Sequence, residues 1–126
     1  MEPILAQDWQ TIRSKYTSTF LPVIAQHRER AVVLAGVKVA EVHVDIISGH
    51  TQVSLALDAS PDLQRQTWNQ SRAITWAGTA IHQTYMIRRE IGRTTDFLED
   101  YLRWRILSTA TVDWSMTFRI LVTPRA

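Results

Sequence analysis

Residues 41–58 read Glu-Val-His-Val-Asp-Ile-Ile-Ser-Gly-His-Thr-Gln-Val-Ser-Leu-Ala-Leu-Asp, and their alternation sets what the rest of the chain is expected to pack against. Val42, Val44 and Ile46 alternate with Glu41, His43 and Asp45. Val53, Leu55 and Leu57 alternate with Ser54, Ala56 and Asp58. Side chains in a strand point to opposite faces in turn, so each run carries one apolar face. A two-residue Gly49-His50 turn, with glycine first as a type II′ turn prefers, predicts an antiparallel hairpin over 37–58. Its register pairs Ile46 with Val53, Val44 with Leu55 and Val42 with Leu57. Glu41 then faces Asp58, a like-charge pair that costs stability.

Working outward, Leu5, Trp9, Ile12, Tyr16 and Phe20 recur at spacings of four, three, four and four, which marks one face of an amphipathic helix. Phe20-Leu21-Pro22 ends it, because residues before proline avoid the helical region. Pro22 opens a second helix through Val23, Ile24, His27 and Ala31 toward Leu34, and Gly36 stops it. Downstream, Ser60-Pro61-Asp62 reads as an N-cap, a first-turn proline and a dipole-compatible acid. Over 61–92, Ala73, Ile74, Trp76, Ala77, Ala80, Ile81, Tyr85, Ile87 and Ile91 fill half a helical wheel, although their β-branched content also suits a strand. Asp96 with Glu99 has capping-box spacing for a helix that carries Arg103 and Arg105 late. Val112, Trp114, Met116, Phe118, Ile120 and Val122 form a last period-2 face, closed by Thr123-Pro124.

The expected fold is therefore α+β: two N-terminal helices, a β-hairpin, one or two further helices and a C-terminal strand. The helices pack on a small antiparallel sheet, and residues 1–126 form a single domain. This element order is similar in architecture, though in no motif, to the cone-shaped α+β folds of the NTF2-like group. That likeness implies helices covering a curved sheet around a pocket.

The 126 residues are 45% hydrophobic and 21% charged, with four glycines, four prolines and no cysteine. Such a composition excludes collagen, a disordered chain and a disulfide scaffold. By area scaling, folding removes on the order of 14,000 Å² from water, enough for one core without metal or disulfide. The net charge of +2 conceals an imbalance. Residues 1–63 hold five basic and seven acidic groups, whereas residues 64–126 hold nine and five. Met1-Glu2-Pro3-Ile4 has neither the basic nor the apolar region of a secretory signal, and the uncharged run 73–87 is too polar to span a bilayer. A cytoplasmic protein with no membrane partner is expected.

Phosphate-loop, dinucleotide, nucleophile-elbow and zinc-protease signatures are all missing from the sequence, so no catalytic residue, metal or cofactor is assigned. Four surfaces remain. His43 between Glu41 and Asp45 could be held protonated or face a metal, although alternation places a solvated polar face there anyway. Arg88, Arg89 and Arg93, beside Thr94 and Thr95 at an expected helix start, form a candidate anion site, with Trp68, Trp76 and Tyr85 as stacking platforms. Against it, Asp96, Glu99 and Asp100 occupy the turn a phosphate would approach. Tyr16, His27 and His82 are candidate polar handles of a pocket for a small apolar ligand. Of the five tryptophans, Trp9, Trp76 and Trp114 are expected in the core, while Trp68 and Trp104 join Leu121 at a self-association interface.

The leading expectation is a non-catalytic ligand-binding or protein-interaction domain that forms a homodimer. A small pocket-type enzyme using His/Asp acid–base chemistry is the alternative. A nucleic-acid-binding protein comes third, since a net +2 is a weak electrostatic footprint.

Overall fold

The structure, a computed structural model, describes residues 3–14, 24–62 and 67–125. Its strands are β1 (Ile4–Ser14), β2 (Ile24–Ala25), β3 (Val32–Val33), β4 (Val39–Ser48), β5 (Val53–Ser60), β6 (Asn69–Thr75), β7 (Ile81–Arg88), β8 (Tyr101–Ser108) and β9 (Trp114–Arg125). A single 3-10 turn, Arg28–Arg30, is the one helical element among the described residues. The expected α+β fold is thus overturned: the chain is nearly all β, in two antiparallel sheets. The NTF2-like likeness falls with it, as no α-helix is present among the described residues to cover a cone.

One sheet, here sheet A, runs β1-β9-β4-β7, and sheet B runs β2-β8-β5-β6 with β3 also on β8. The antiparallel pairs β1·β9, β2/β3·β8, β4·β7 and β5·β6 are those of one long hairpin folded over on itself. The β9–β4 and β8–β5 ladders close the two sheets. This is the jelly-roll topology.

Residues 41–58 explain both the success and the failure of the sequence reading. Val42, Val44, Ile46, Val53, Leu55 and Leu57 are all essentially inaccessible, as the alternation requires. They do not pair, however. The chain turns a corner at Gly49–Gln52, closed by Val53 N–H donating to His50 O at 3.0 Å, and β5 enters the opposite sheet. The two apolar runs therefore belong to facing sheets instead of lying side by side in one sheet. Alternation reports which face of a strand is buried, and it does not report which strand lies beside it. Glu41 consequently never meets Asp58. It pairs with Arg125 at 2.8 Å, while Asp58 sits in sheet B beside Arg103 and Arg105. Gly49 lets the corner pack closely on Trp76, since a Cβ there would lie 3.0 Å from its ring and force a shift.

Of the expected second helix, Pro22 and Val23 lie outside the described residues, and the rest forms β2, the 3-10 turn and β3. The other three have a specific reason to be strands. Two bulges in β1, between Leu5 and Gln7 and between Gln7 and Gln10, shift the phase of its alternation. A phase-shifted period of 2 imitates helical spacing. Gly78, at φ 92°, lies between β6 and β7 and divides the expected 61–92 helix. In β8, Leu102, Trp104 and Ile106 point inward while Arg103 and Arg105 point outward. Asp96 has φ 51°, a left-handed conformation, so no helix starts there. The last strand is as expected over Trp114, Met116, Phe118, Ile120 and Val122, but it continues through Pro124 to Arg125. Proline is tolerated at that position because, among the described residues, the β1 ladder ends at Val122 and no strand partner faces its nitrogen. Val112 lies before the strand and is exposed.

The core fills the space between the sheets. Trp104 of sheet B meets Phe118 of sheet A edge-on, with centroids 5.1 Å apart. Its indole N–H donates to Gln7 Oε1 at 2.9 Å, and the buried Gln26 amide donates to Ala6 O at 2.8 Å. These two bonds tie β1 to sheet B, giving buried polar groups the partners they need. No helix among the described residues is long and apolar enough to cross a membrane.

Candidate functional site

The outer face of sheet A carries a row of side chains fixed by strand register. Asp45 of β4 lies opposite His82 of β7 on one side and Arg119 of β9 on the other. Trp9 of β1 extends the row, with the Arg119 guanidinium 4.8 Å from its ring centroid, a cation–π contact. One step along β4, His43 lies opposite Thr84 and Leu121.

Asp45 is the hub of this row and is buried, at 3% exposure. Its Oδ1 meets His82 Nδ1 at 2.6 Å and His43 Nε2 at 3.0 Å. Its Oδ2 accepts from Arg119 through Nη2 at 2.7 Å and Nε at 3.1 Å. Burial pushes the carboxyl up. The hydrogen bonds to His82 and Arg119 and the charge and hydrogen bond of His43 more than offset this, bringing it down from 3.8 to about 2. His43 is held from its other side by Thr84, Nδ1 to Oγ1 at 3.0 Å.

This arrangement determines what the row can do. Both carboxylate oxygens of Asp45 are engaged, which leaves it as an anchor for its neighbours. The His82 Nε2, the outer edge of Arg119 and the Trp9 ring are presented on an open sheet. Leu5, Trp9 and Met86 are exposed on or beside this face, and Leu121 is half-buried. Positioned hydrogen-bonding groups among apolar side chains are what a recognition surface needs. Among the described residues, no group of three His, Cys, Asp or Glu is placed to hold a metal ion.

The residues singled out from the sequence are scattered. Tyr16 lies outside the described residues. His27 caps the 3-10 turn at the margin of sheet B, accepting from Glu29 N–H, whereas His82 sits on sheet A, so the two do not share a pocket. The void between the sheets beside Gln26, Leu57 and Trp104 is about 10 Å³, less than a ligand needs. An open cleft of about 680 Å³ is lined by Arg13, Ser14, Asp113, Trp114 and Ser115, and neither histidine lines it.

In the arginine cluster, two members are engaged within the chain. Arg89 donates to Val37 O and Leu34 O, both at 2.9 Å, and pairs with Asp100 at 3.0 Å. Arg93 donates to Asp96 O at 3.1 Å and pairs with Glu90 at 3.3 Å. Arg88 ends β7, where Asp96 O and Leu98 N–H bond its backbone. The helix N-terminus that was to complete an anion site is absent.

Trp104, expected at an interface, is instead a core residue at 5% exposure. Trp9, expected in the core, is on the outer face at 43%. Trp114 is buried and Trp76 packs against the core as expected. Trp68 lies under the Arg103 guanidinium at 4.4 Å on the outer side of sheet B. There Asp58, at 1% exposure, binds Arg105 through Nε at 2.7 Å and Nη2 at 3.2 Å. Burial first, and then the neighbouring Arg105, push the Arg103 guanidinium down, with Asp58 opposing.

Arg119 was not singled out in the sequence, and Trp9 was assigned to the core. Arg119 was legible as the outward residue between Phe118 and Ile120. Trp9 was not, because the bulges hide its face. No protein family, curated protein or solved structure matches this chain. The fold and site define a jelly-roll β-sandwich with a hydrophobic core between its sheets and a polar, aromatic-flanked row on one outer face.

Proposed function

We propose that this chain is a non-catalytic protein-interaction domain that self-associates and presents the outer face of sheet A to its partner. The observation that carries this reading is the Asp45 hub. A buried, ionised carboxylate spends both oxygens on holding His43, His82 and Arg119 in place beside exposed Trp9, and none of the described residues encloses the groups it positions. Exposed apolar side chains on a domain of net charge +2 also favour association. Sedimentation velocity over a micromolar concentration series tests it. The expected result is a mass rising above the 14.5 kDa of one chain as concentration increases. A mass that stays at one chain throughout removes self-association from the proposal.

A second reading, an acid–base enzyme, draws on the 2.6 Å Asp45–His82 contact, in which a carboxylate orients an imidazole. It stands second because, among the described residues, His82 lies exposed on a sheet face and lines neither the cleft of about 680 Å³ nor the void between the sheets.

A further inference from the structure

We propose that the second copy joins at the free edge of β7, so that the two β1-β9-β4-β7 sheets run on as one across a two-fold axis. The inference rests on the self-association proposed above and specifies its route.

Sheet edges invite pairing, and proteins protect them with bulges, charges, proline or very short strands. Three of the four edges here are protected in these ways. β1 has two bulges and carries Asp8. The β2/β3 margin consists of two-residue strands separated by the Arg28–Arg30 turn. β6 is bulged between its Leu57 and Asp58 partners and carries Arg72. β7 has no bulge and no proline, and its one arginine, Arg88, lies at the end that Asp96 and Leu98 cover. Its ladder with β4 runs from Ile81 to Arg88 without a shift, and residues 81–87 contain no proline, lysine, arginine or acid.

The backbone direction of β7 is fixed by its own end. Arg88 donates its N–H to Asp96 O at 2.8 Å and accepts from Leu98 N–H at 2.9 Å, so its polar groups turn away from β4. Alternate residues of an antiparallel strand turn the same way. His82, Thr84 and Met86 therefore direct their N–H and C=O groups to the open side, where none has a backbone partner among the described residues. Past Arg88 the edge is covered by the bridge to Phe97.

The free stretch is complementary to itself. An antiparallel pairing centred on Thr84 places it opposite the second copy's Thr84, with His82 opposite Met86 in both directions. Each of the three residues then exchanges both backbone bonds with its counterpart. Threonine pairs are favourable across strands, and Arg88 falls opposite Ala80, so no like charges meet. The closed two-fold solution consumes both edges and stops at a dimer. It also sets both Asp45-centred rows on the same side of one continuous sheet.

Thr84→Pro and Met86→Lys test this by sedimentation velocity, with circular dichroism as the check on folding. Proline at 84 removes an N–H that has no backbone partner among the described residues, a position where edge strands accept it, and gives up the Oγ1 bond to His43, which Met86→Lys keeps. The wild type is expected to approach twice 14.5 kDa, and both variants to fall to one chain with strand content unchanged. Folded variants that keep the wild-type mass overturn the β7 route while leaving self-association standing. A wild type that never leaves 14.5 kDa overturns both. Amide exchange on the wild type guards against variants that fail to fold. The Thr84 and Met86 amides should slow at least tenfold between dilute and concentrated samples. Fast exchange at both concentrations, or protection that appears only with a foreign chain, refutes the proposal.

Discussion

Replacing Asp45 by Asn keeps the shape of the side chain at the centre of the row and removes its charge. The carboxyl falls from 3.8 to about 2 on folding. At about 1.4 kcal/mol per pH unit, this amounts to about 2 kcal/mol of stability. The sign follows from linkage. A carboxyl held below its unfolded value stabilises the fold fully above about pH 4, and this stabilisation is lost as pH falls toward 2. Asp45→Asn is therefore expected to be less stable than wild type by about 2 kcal/mol at pH 7, with the gap closing between pH 4 and pH 2. Urea unfolding followed by tryptophan fluorescence at pH 7, 4, 3 and 2 measures it. Glu41→Gln is the control, since the Glu41–Arg125 pair lies at the surface, with Arg125 exposed and Glu41 only partly buried, and is worth at most about 1 kcal/mol. A gap of the same size at pH 2 and pH 7, or none at pH 7, would show that Asp45 is not the ionised hub described.

Other substitutions separate the core from the surface. Leu55→Ala leaves a cavity at a position with no solvent access and is expected to cost about 2–5 kcal/mol in urea unfolding. Trp104→Ala is expected to cost about 3–5 kcal/mol in the same assay. Gly49→Ala forces a methyl group to within 3.0 Å of Trp76 and should lower stability by about 1–3 kcal/mol, read as a shift in midpoint. Arg89→Gln releases the carbonyls of Leu34 and Val37 and should destabilise by about 1–2 kcal/mol. Fluorescence anisotropy with a labelled oligonucleotide at low salt should give no binding for wild type or for the Arg88, Arg89 and Arg93 to Gln variant.

The sequence was most legible where burial follows a plain period of 2. Val42 to Ile46, Val53 to Leu57 and Trp114 to Val122 are buried on the faces their alternation assigned. Leu102-Arg103-Trp104-Arg105-Ile106 carried the same signal, but acids upstream and arginines downstream also fit a helix dipole. Local charge order there imitated a helix that the strand pairings exclude. β1 misled for the opposite reason, because its bulges erased the alternation and left spacings of three and four. The outer row was half legible: His43 and Asp45 were assigned to one polar face, yet their partners His82 and Arg119 lie 37 and 74 residues away from Asp45. Contacts made at that separation depend on which strands become neighbours, and alternation within one strand carries no information about that.

The placement of β4 between β7 and β9, and not beside β5, assembles the Asp45 row, and interstrand nuclear Overhauser effects test it directly. Because His82 and Thr84 turn their polar groups away from β4, Asp45–His82 and His43–Thr84 are narrow pairs whose α-protons lie close together. The jelly roll requires α–α cross-peaks for those two pairs, and for Val44–Ile120 on the other side of β4. An Asp45–Ser54 α–α cross-peak in their place, the narrow pair of a two-residue Gly49-His50 turn, would restore the simple hairpin. It would also take apart the surface on which the proposed function rests.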